Sequence, residues 1–153
     1  MRTRPFFLLA ALAAGLTATA ARAANPHFNS PPTITINSDG TVNAQGTITG
    51  IGNKDLIVTL TVEGTMVVFY FNPGGNQPVG WNRDPVKEIA VQFIPKTLTS
   101  NGNASFNLTS PKPVARPAPN PNWTVVIQSV KITKVTISIT QAGKTTNFVF
   151  NYP

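Results

Sequence analysis

Apolar and polar residues alternate along most of the chain with a period of two residues. This period places successive side chains on opposite faces of a strand, so it predicts half-buried β-strands. Nine segments show it or are rich in β-branched and aromatic residues: 33–37, 41–51, 56–62, 65–71, 86–94, 103–110, 123–130, 132–140 and 145–152. No apolar period of 3.6 residues continues beyond two helical turns, so the pattern predicts no helix.

Turn-forming residues separate these segments. Asp39-Gly40 predicts a tight hairpin turn because it readily supplies positive φ angles, and Ala142-Gly143 joins the last two segments. Glu63-Gly64 is also interpreted as a turn, which would make 56–62 and 65–71 a central hairpin. Short strands that are separated by turn signals at intervals of about 8–12 residues predict an all-β fold. We expect an antiparallel two-sheet sandwich of the immunoglobulin-like kind, with eight or nine strands.

The phase of the alternation predicts which side chains face the core. The residues expected to point inward are Val42, Ala44, Gly46, Ile48 and Gly50 in 41–51, Leu56, Val58, Leu60 and Val62 in 56–62, Ile89, Val91 and Phe93 in 86–94, and Phe106 and Leu108 in 103–110.

The segment 1–23 has the organisation of a secretory signal peptide. A basic start at 1–4 precedes an apolar stretch at 6–21, and Ala21-Arg22-Ala23 fits the small-x-small cleavage rule. We expect cleavage before Ala24 and a secreted or periplasmic product that begins at Ala24. That product would have an extended lead-in at 24–32 and a single sandwich domain at 33–153. No later apolar run reaches the roughly 20 residues that span a bilayer, so we expect no membrane span in the mature form.

Composition and charge narrow the classes of function. The chain has no cysteine, which excludes disulfides, thiolate metal sites and a cysteine nucleophile. Hydrophobic residues make up 41% and charged residues 11%, which favours a folded domain over a disordered one. Without the three signal arginines, 12 − 3 = 9 basic and 5 acidic residues leave a net charge of +4. The nine are scattered, whereas nucleic-acid binders cluster them, so we expect no nucleic-acid partner.

Side chains suited to catalysis are few. Beyond the signal the carboxylates are Asp39, Asp55, Glu63, Asp84 and Glu88. The first three lie at predicted turns, where turn formation accounts for them. Asp84 and Glu88 are four residues apart and could form the acid–base pair of a hydrolase, an alternative that stays open. His27 is the only histidine, and no second one is available to complete a metal site. We therefore predict no enzyme, no metal site and no cofactor.

The two longest loops, 72–85 and 111–122, carry the residues best suited to binding. Trp81 lies among Asn76, Asn82 and Arg83, and Trp123 directly follows an Asn/Pro-rich stretch. An indole face stacks on a pyranose ring while amides bond its hydroxyls, so this combination predicts a sugar site. If successive strands alternate in direction, the loops 52–55, 72–85 and 111–122 emerge at one end. Trp123, at a strand start, has a second interpretation in which it closes the end of the core.

These features predict an exported, non-catalytic binding module for a polysaccharide or another cell-envelope polymer. The alternative is a structural or protein-interaction protein of the envelope that acts through an open sheet edge. That alternative requires a long unpaired edge strand or a contiguous apolar surface patch.

Two loop motifs carry a resemblance. Asn-Pro-Gly-Gly-Asn at 72–76 and Pro-Asn-Pro-Asn-Trp-Thr at 119–124, with the final hairpin at 130–150, resemble a group of small secreted bacterial β-proteins. Members of that group carry cysteines beside both motifs, where this chain has Tyr70, Phe71, Ala118 and Pro119. The resemblance implies export and an all-β fold in which packing replaces a crosslink between the two loops. It implies no activity and no site residues.

The sugar-binding hypothesis predicts that the mature chain, 24–153, binds a glycan on an array and that Trp81→Ala abolishes the signal, because the indole supplies the stacking surface. A signal that survives Trp81→Ala would contradict the site.

Overall fold

The computed structural model describes residues 25–77, 83–99 and 101–153. These residues form eight strands and one short 3-10 helix, Lys96–Leu98. The strands are β1 (His27–Phe28), β2 (Thr33–Ile36), β3 (Val42–Thr49), β4 (Leu56–Phe71), β5 (Arg83–Ile94), β6 (Ala104–Thr109), β7 (Thr124–Gln141) and β8 (Lys144–Asn151). In this described part of the chain, no helix is both long enough and apolar enough to cross a membrane.

The strands form two antiparallel sheets that pack face to face. In the first sheet β3 is central, with β6 along one edge and with β1 and β2 along the other. The second sheet has the order β5-β4-β7-β8. The predicted all-β two-sheet sandwich is thereby confirmed. The lead-in contributes β1, whose Phe28 packs against the core.

The core follows from the alternation within β3, β4, β6 and β7. On the inner face of β4 the buried residues are Leu56, Val58, Leu60, Val62, Met66, Val68 and Tyr70. The predicted inward residues of the first sheet that are buried are Val42, Ala44, Ile48, Phe106 and Leu108. Burial of each large aliphatic side chain stabilises the folded state by roughly 1.5–3 kcal/mol. With seven buried side chains, β4 is the main apolar element of the core.

The expected hairpin at Glu63-Gly64 is wrong, because β4 is one continuous strand of 16 residues. Glu63 pairs with Lys134 and Gly64 with Ile132, so β7 carries one extra residue, Thr133, at this point. An ideal Cβ on Gly64 would lie 2.1 Å from the carbonyl oxygen of Lys131. The glycine therefore permits a β-bulge in the partner strand rather than a turn in its own. The predicted strands 123–130 and 132–140 are likewise one strand, β7.

The predicted phase of β5 is also wrong. The side chains of Ile89, Val91 and Phe93, predicted to face inward, are 50%, 60% and 59% exposed. The register explains the inversion, because Ala90 pairs with Leu60 and paired residues share a face. The inner positions of this edge strand are partly polar. The side-chain oxygen of Gln92 accepts a hydrogen bond from the backbone N–H of Asn107 in β6, 3.1 Å away.

The two sheets differ in length, and the proline-rich segment 111–122 makes up the difference. The strand β3 has 8 residues, whereas β4 has 16 and β7 has 18. The inner face of β4 beyond the first sheet is covered by residues 111–118 instead, where Pro113 is buried. An ideal Cβ on Gly40 would lie 2.7 Å from Val130 Cγ1 and 3.0 Å from Pro113 Cγ. The turn between β2 and β3, the proline-rich segment and β7 therefore pack closely together at this point.

The predicted grouping of three loops at one end is partly wrong. Residues 52–54 bond to the side chain of Gln141 at the end of β7, whereas Phe71 pairs with Thr124 at its start. The full length of β4 separates these poles, roughly 50 Å at about 3.3 Å per residue. Loop 52–55 therefore lies at the opposite end from the other two. The expected hairpin would have reversed the chain once more, so without it every later loop emerges at the other end of the sandwich. The segments 72–85 and 111–122 do meet, through Asp84 and Arg116.

We expect Gly64→Ala to lower the free energy of unfolding by about 2 kcal/mol or more, since the added methyl group meets the β7 backbone and cannot avoid it. Urea denaturation measures the change. Gly74→Ala is the control, because the nearest atom to its Cβ is a side-chain oxygen of Asn72 at 3.3 Å. Equal effects of the two substitutions would contradict the bulge interpretation.

Candidate functional site

A buried carboxylate fastens the proline-rich segment to the second sheet. Asp84, in β5, is 2% exposed. Its Oδ2 accepts hydrogen bonds from the Tyr70 hydroxyl and from the Arg116 backbone N–H, both at 2.9 Å. Its Oδ1 forms an ion pair with the Arg116 guanidinium. The Tyr70 hydroxyl also lies 3.2 Å from the Arg116 carbonyl oxygen. Sheet and segment are thus joined by both side-chain and backbone groups of a single arginine.

These contacts decide the protonation of Asp84. Burial by itself raises the pKa of the carboxyl group, but the Arg116 backbone N–H, the Tyr70 hydroxyl and the Arg116 guanidinium outweigh it, so the pKa is lowered below its ordinary value. Burial, followed by the neighbouring carboxylate, raises the pKa of the Tyr70 hydroxyl. Asp84 is therefore an anion whose hydrogen-bonding capacity is used within the fold.

The hydrolase alternative gains no support from this arrangement. Asp84 and Glu88 lie on one strand four residues apart, a Cα separation of about 13 Å at roughly 3.3 Å per residue. The imidazole of His27 bonds to Thr49 and to the Asn25 carbonyl in the first sheet. Among the described residues, no group of three histidine and carboxylate side chains could hold a metal ion.

The residues predicted for sugar binding are only partly described. Trp81 and Asn82 lie outside the described residues. Asn76 is exposed in a turn closed by the bond from its N–H to Asn72 Oδ1 at 2.9 Å. Arg83 is exposed at the start of β5, opposite Val67.

Trp123 is half-buried and packs against the hydrophobic core. This position fits its second interpretation, in which it closes the end of the core. The sugar site itself stays a prediction.

A second feature at this end is an unpaired edge of β7. The strand β8 pairs with β7 only from Lys134 to Gln141, and the last contact beyond that ladder is the bond from Tyr152 N–H to the Thr133 carbonyl at 2.9 Å. Seven of the residues 124–131 pair with β4, on one side alone, and a register shift between Val67 and Val68 leaves Gln128 without a partner in β4. Within the described part of the chain, no backbone hydrogen bond reaches their other side. We call residues 124–131 the open edge.

The open edge is apolar and carries three consecutive exposed β-branched residues. Val125, Val126 and Ile127 are 38%, 42% and 37% exposed. Val125 and Ile127 share the inner face of the sheet because they pair with the buried Tyr70 and Val68. Val126 is on the opposite, outer face. A strand placed beside this edge would meet apolar neighbours on both of its faces.

A groove of about 530 Å³ runs along the inner side of the open edge. Its walls are residues 112–117 of the proline-rich segment on one side and Val125 and Ile127 on the other. Most of this wall is apolar, because Pro113, Val114, Ala115 and Pro117 present carbon to the groove. Main-chain groups at the edge and an apolar groove beside it together suit the addition of an extended peptide.

Neither a scan against protein-family models nor comparisons with curated proteins and with solved structures finds a match to this chain. The resemblance to small secreted bacterial β-proteins therefore stays a prediction.

We expect Asp84→Asn to lower the free energy of unfolding near pH 7 by about 2 kcal/mol. The reason is that a neutral amide cannot replace the carboxylate that accepts hydrogen bonds from Arg116 and Tyr70. The folded-state pKa of Asp84 lies below the unfolded one, so its contribution is complete above about pH 4 and is lost as the pH falls through the folded-state pKa. The difference between wild type and variant should therefore shrink as the pH is lowered below that value, as measured by urea denaturation.

Tyr70→Phe serves as the control for this experiment. It removes one donor and keeps the ring in the core, at a cost of about 1 kcal/mol. Because Asp84 and Arg116 remain, this variant should keep most of the wild-type dependence on pH. An Asp84→Asn variant as sensitive to acid as the wild type would contradict the assignment.

Proposed function

We propose that the protein is an exported, non-catalytic interaction module that binds an extended polypeptide by adding it as a strand to the open edge of β7. One observation carries the proposal: nearly half of a long strand has an unpaired edge, three exposed β-branched residues and an apolar groove along the same stretch. This is the sheet-edge alternative predicted from the sequence, now with a defined edge.

The other strand edges of the second sheet are less suited to this role. The outer edge of β5 contains Pro85, which has no N–H to donate, and the charged Lys87 and Glu88. The edge strand β8 begins with Lys144 and carries an amide or hydroxyl at most of its exposed positions. Residues 124–130 contain no charge, no proline and no glycine. Edges that are not meant to pair usually carry charges, prolines or β-bulges. The open edge has only the register shift at Gln128, which leaves residues 124–127 as a regular, uncharged stretch.

The groove gives the proposed pairing a basis for selectivity. In strand addition the main-chain bonds supply affinity, whereas pockets for alternate side chains distinguish one sequence from another. Every second side chain of an added strand would enter the groove beside Val125 and Ile127. The ion pair between Asp84 and Arg116 holds the opposite wall in place. The wall is thereby ordered before the peptide arrives, which lowers the entropic cost of binding.

We expect a fluorescent peptide of alternating valine and threonine to bind the wild type, and Ile127→Lys to weaken the binding at least tenfold, because it places a charge in the groove. Fluorescence anisotropy measures the affinity. Ile89→Lys is the matched control, since it makes the same change on an exposed residue of another edge strand.

Two further measurements keep this test decisive. Hydrogen exchange of the wild type with and without the peptide should show new protection confined to residues 124–131. A peptide with two central prolines cannot complete a ladder and should not bind. Peptide binding with no new protection at the open edge would overturn the proposal, whatever the stability of the Ile127→Lys variant.

A further inference from the structure

We infer that the strand added to the open edge is acidic at its amino-terminal end and runs antiparallel to β7. This inference rests on the proposed function and names the chemistry and direction of the partner. The first observation is a separation of charge along the chain. Every acidic residue lies at or before Glu88, whereas the stretch 89–153 contains six basic side chains and none that is acidic.

Two of those six cations lie near one end of the open edge. Lys131 is its last residue and is exposed, and Lys112 is an exposed residue lining the groove. Their chain neighbours, Val130 and Pro113, both approach Gly40 closely, so the two lysines lie at the same level along the edge. Lys131 is on the outer face of the sheet, because Val130 pairs with the buried Met66, whereas Lys112 lies on the groove side. Toward the other end of the open edge, near Val125, the groove is lined by Arg116, whose charge is balanced by Asp84. The stretch 117–130 contains no charged residue.

The carboxylates of the chain are engaged or distant. Asp84 is paired with Arg116 and Glu63 with Lys134. Asp55 accepts the backbone N–H of Lys96 at 3.0 Å, and Glu88 lies on β5, at the far side of the sheet. Asp39 is the carboxylate near the two lysines, and it is engaged by Thr41. Hydrogen bonds from Thr41 lower the pKa of Asp39, and the charge of Lys112 lowers it by a smaller amount. Lys131 takes part in no ion pair among the described residues.

The direction of the partner follows from the sheet. The strand β8 runs antiparallel to β7 along the same side and ends beside Thr133, where the open edge begins. Every pair in this sheet is antiparallel, and antiparallel pairs are slightly more stable. A strand that continues the line of β8 enters at Lys131 and leaves at Thr124. Its amino-terminal end therefore meets the two lysines, and acidic residues there are attracted.

A polypeptide fits this surface better than a polyanion does. Nucleic acids and acidic polysaccharides require cations spaced along the whole contact, because each phosphate or carboxylate is neutralised separately. Lys112 and Lys131 lie at one end, whereas the charge of Arg116, which also lines the groove, is balanced by Asp84. The strand residues 124–130 are uncharged and offer unpaired main-chain groups.

Four acetylated and amidated peptides test the inference. Each contains a core of six residues in which valine and threonine alternate. The first peptide has two glutamates before this core, and the second has two glutamates after it. The third has two lysines before the core, and the fourth has two glutamines before it. At low salt we expect the first to bind about fivefold more tightly than the fourth, with the third the weakest. Because exposed charges are screened, the difference should largely vanish when the salt is raised to about 0.5 M. Isothermal titration calorimetry measures the affinities.

Two charge-reversed variants complete the experiment. Lys131→Glu should remove most of the advantage of the first peptide over the third, because the new carboxylate balances the charge of Lys112. Lys144→Glu, at the opposite pole of the sheet, should leave the order unchanged.

Each other outcome has a defined meaning. Equal affinities for all four peptides overturn the inference and leave strand addition standing, whereas no binding by any peptide overturns both. Tighter binding of the second peptide than of the first overturns the direction. Tighter binding of polygalacturonate than of every peptide overturns the choice of a polypeptide partner and favours the loop-end sugar site.

Discussion

The fold depends on one mismatch of length: the ladder between β4 and β7 extends well beyond the sheet that packs against it. The extension still buries Met66, Val68 and Tyr70 on its inner face, so another layer has to cover them. Prolines exclude the covering segment from a regular ladder, which leaves it one residue layer thick with few internal hydrogen bonds. Polar contacts are therefore needed to attach this segment to the sheet, and Asp84 supplies them. Its negative charge is stabilised by the Tyr70 hydroxyl and the Arg116 N–H.

Tyr70 links this arrangement to the cysteine-free composition. It stands beside the Asn-Pro-Gly-Gly-Asn motif, and its hydroxyl reaches both Asp84 and the backbone of the proline-rich segment. A hydrogen-bonded ring thus joins the end of β4 to that segment. Such a joint is reversible with pH, whereas a disulfide responds to redox conditions.

Much of the fold could be predicted because local pattern and burial agree. In β3, β6 and the first half of β4 the inner face is consistently apolar, so the phase is clear. The strand β5 has apolar residues on both faces, with Val86 and Ile94 against Val91 and Phe93, and only its register against β4 selects between them. The glycine at 64 is consistent with either a turn or a close approach, and the backbone that it approaches, at Lys131, is distant in sequence. Asp84 and Arg116 are far apart in sequence, so no spacing announces their pairing. The open edge could not be located because the sequence shows a strand but not where its neighbour ends.

The separation of charge has a consequence for the free protein in solution. An uncharged, unpaired edge would ordinarily invite two copies of the chain to associate and then to aggregate. Here the net charge of the chain is positive, so two copies that approach edge to edge repel one another at long range. Electrostatic repulsion thus acts as the colloidal protection that proline and edge charges provide elsewhere, and it weakens as ionic strength rises.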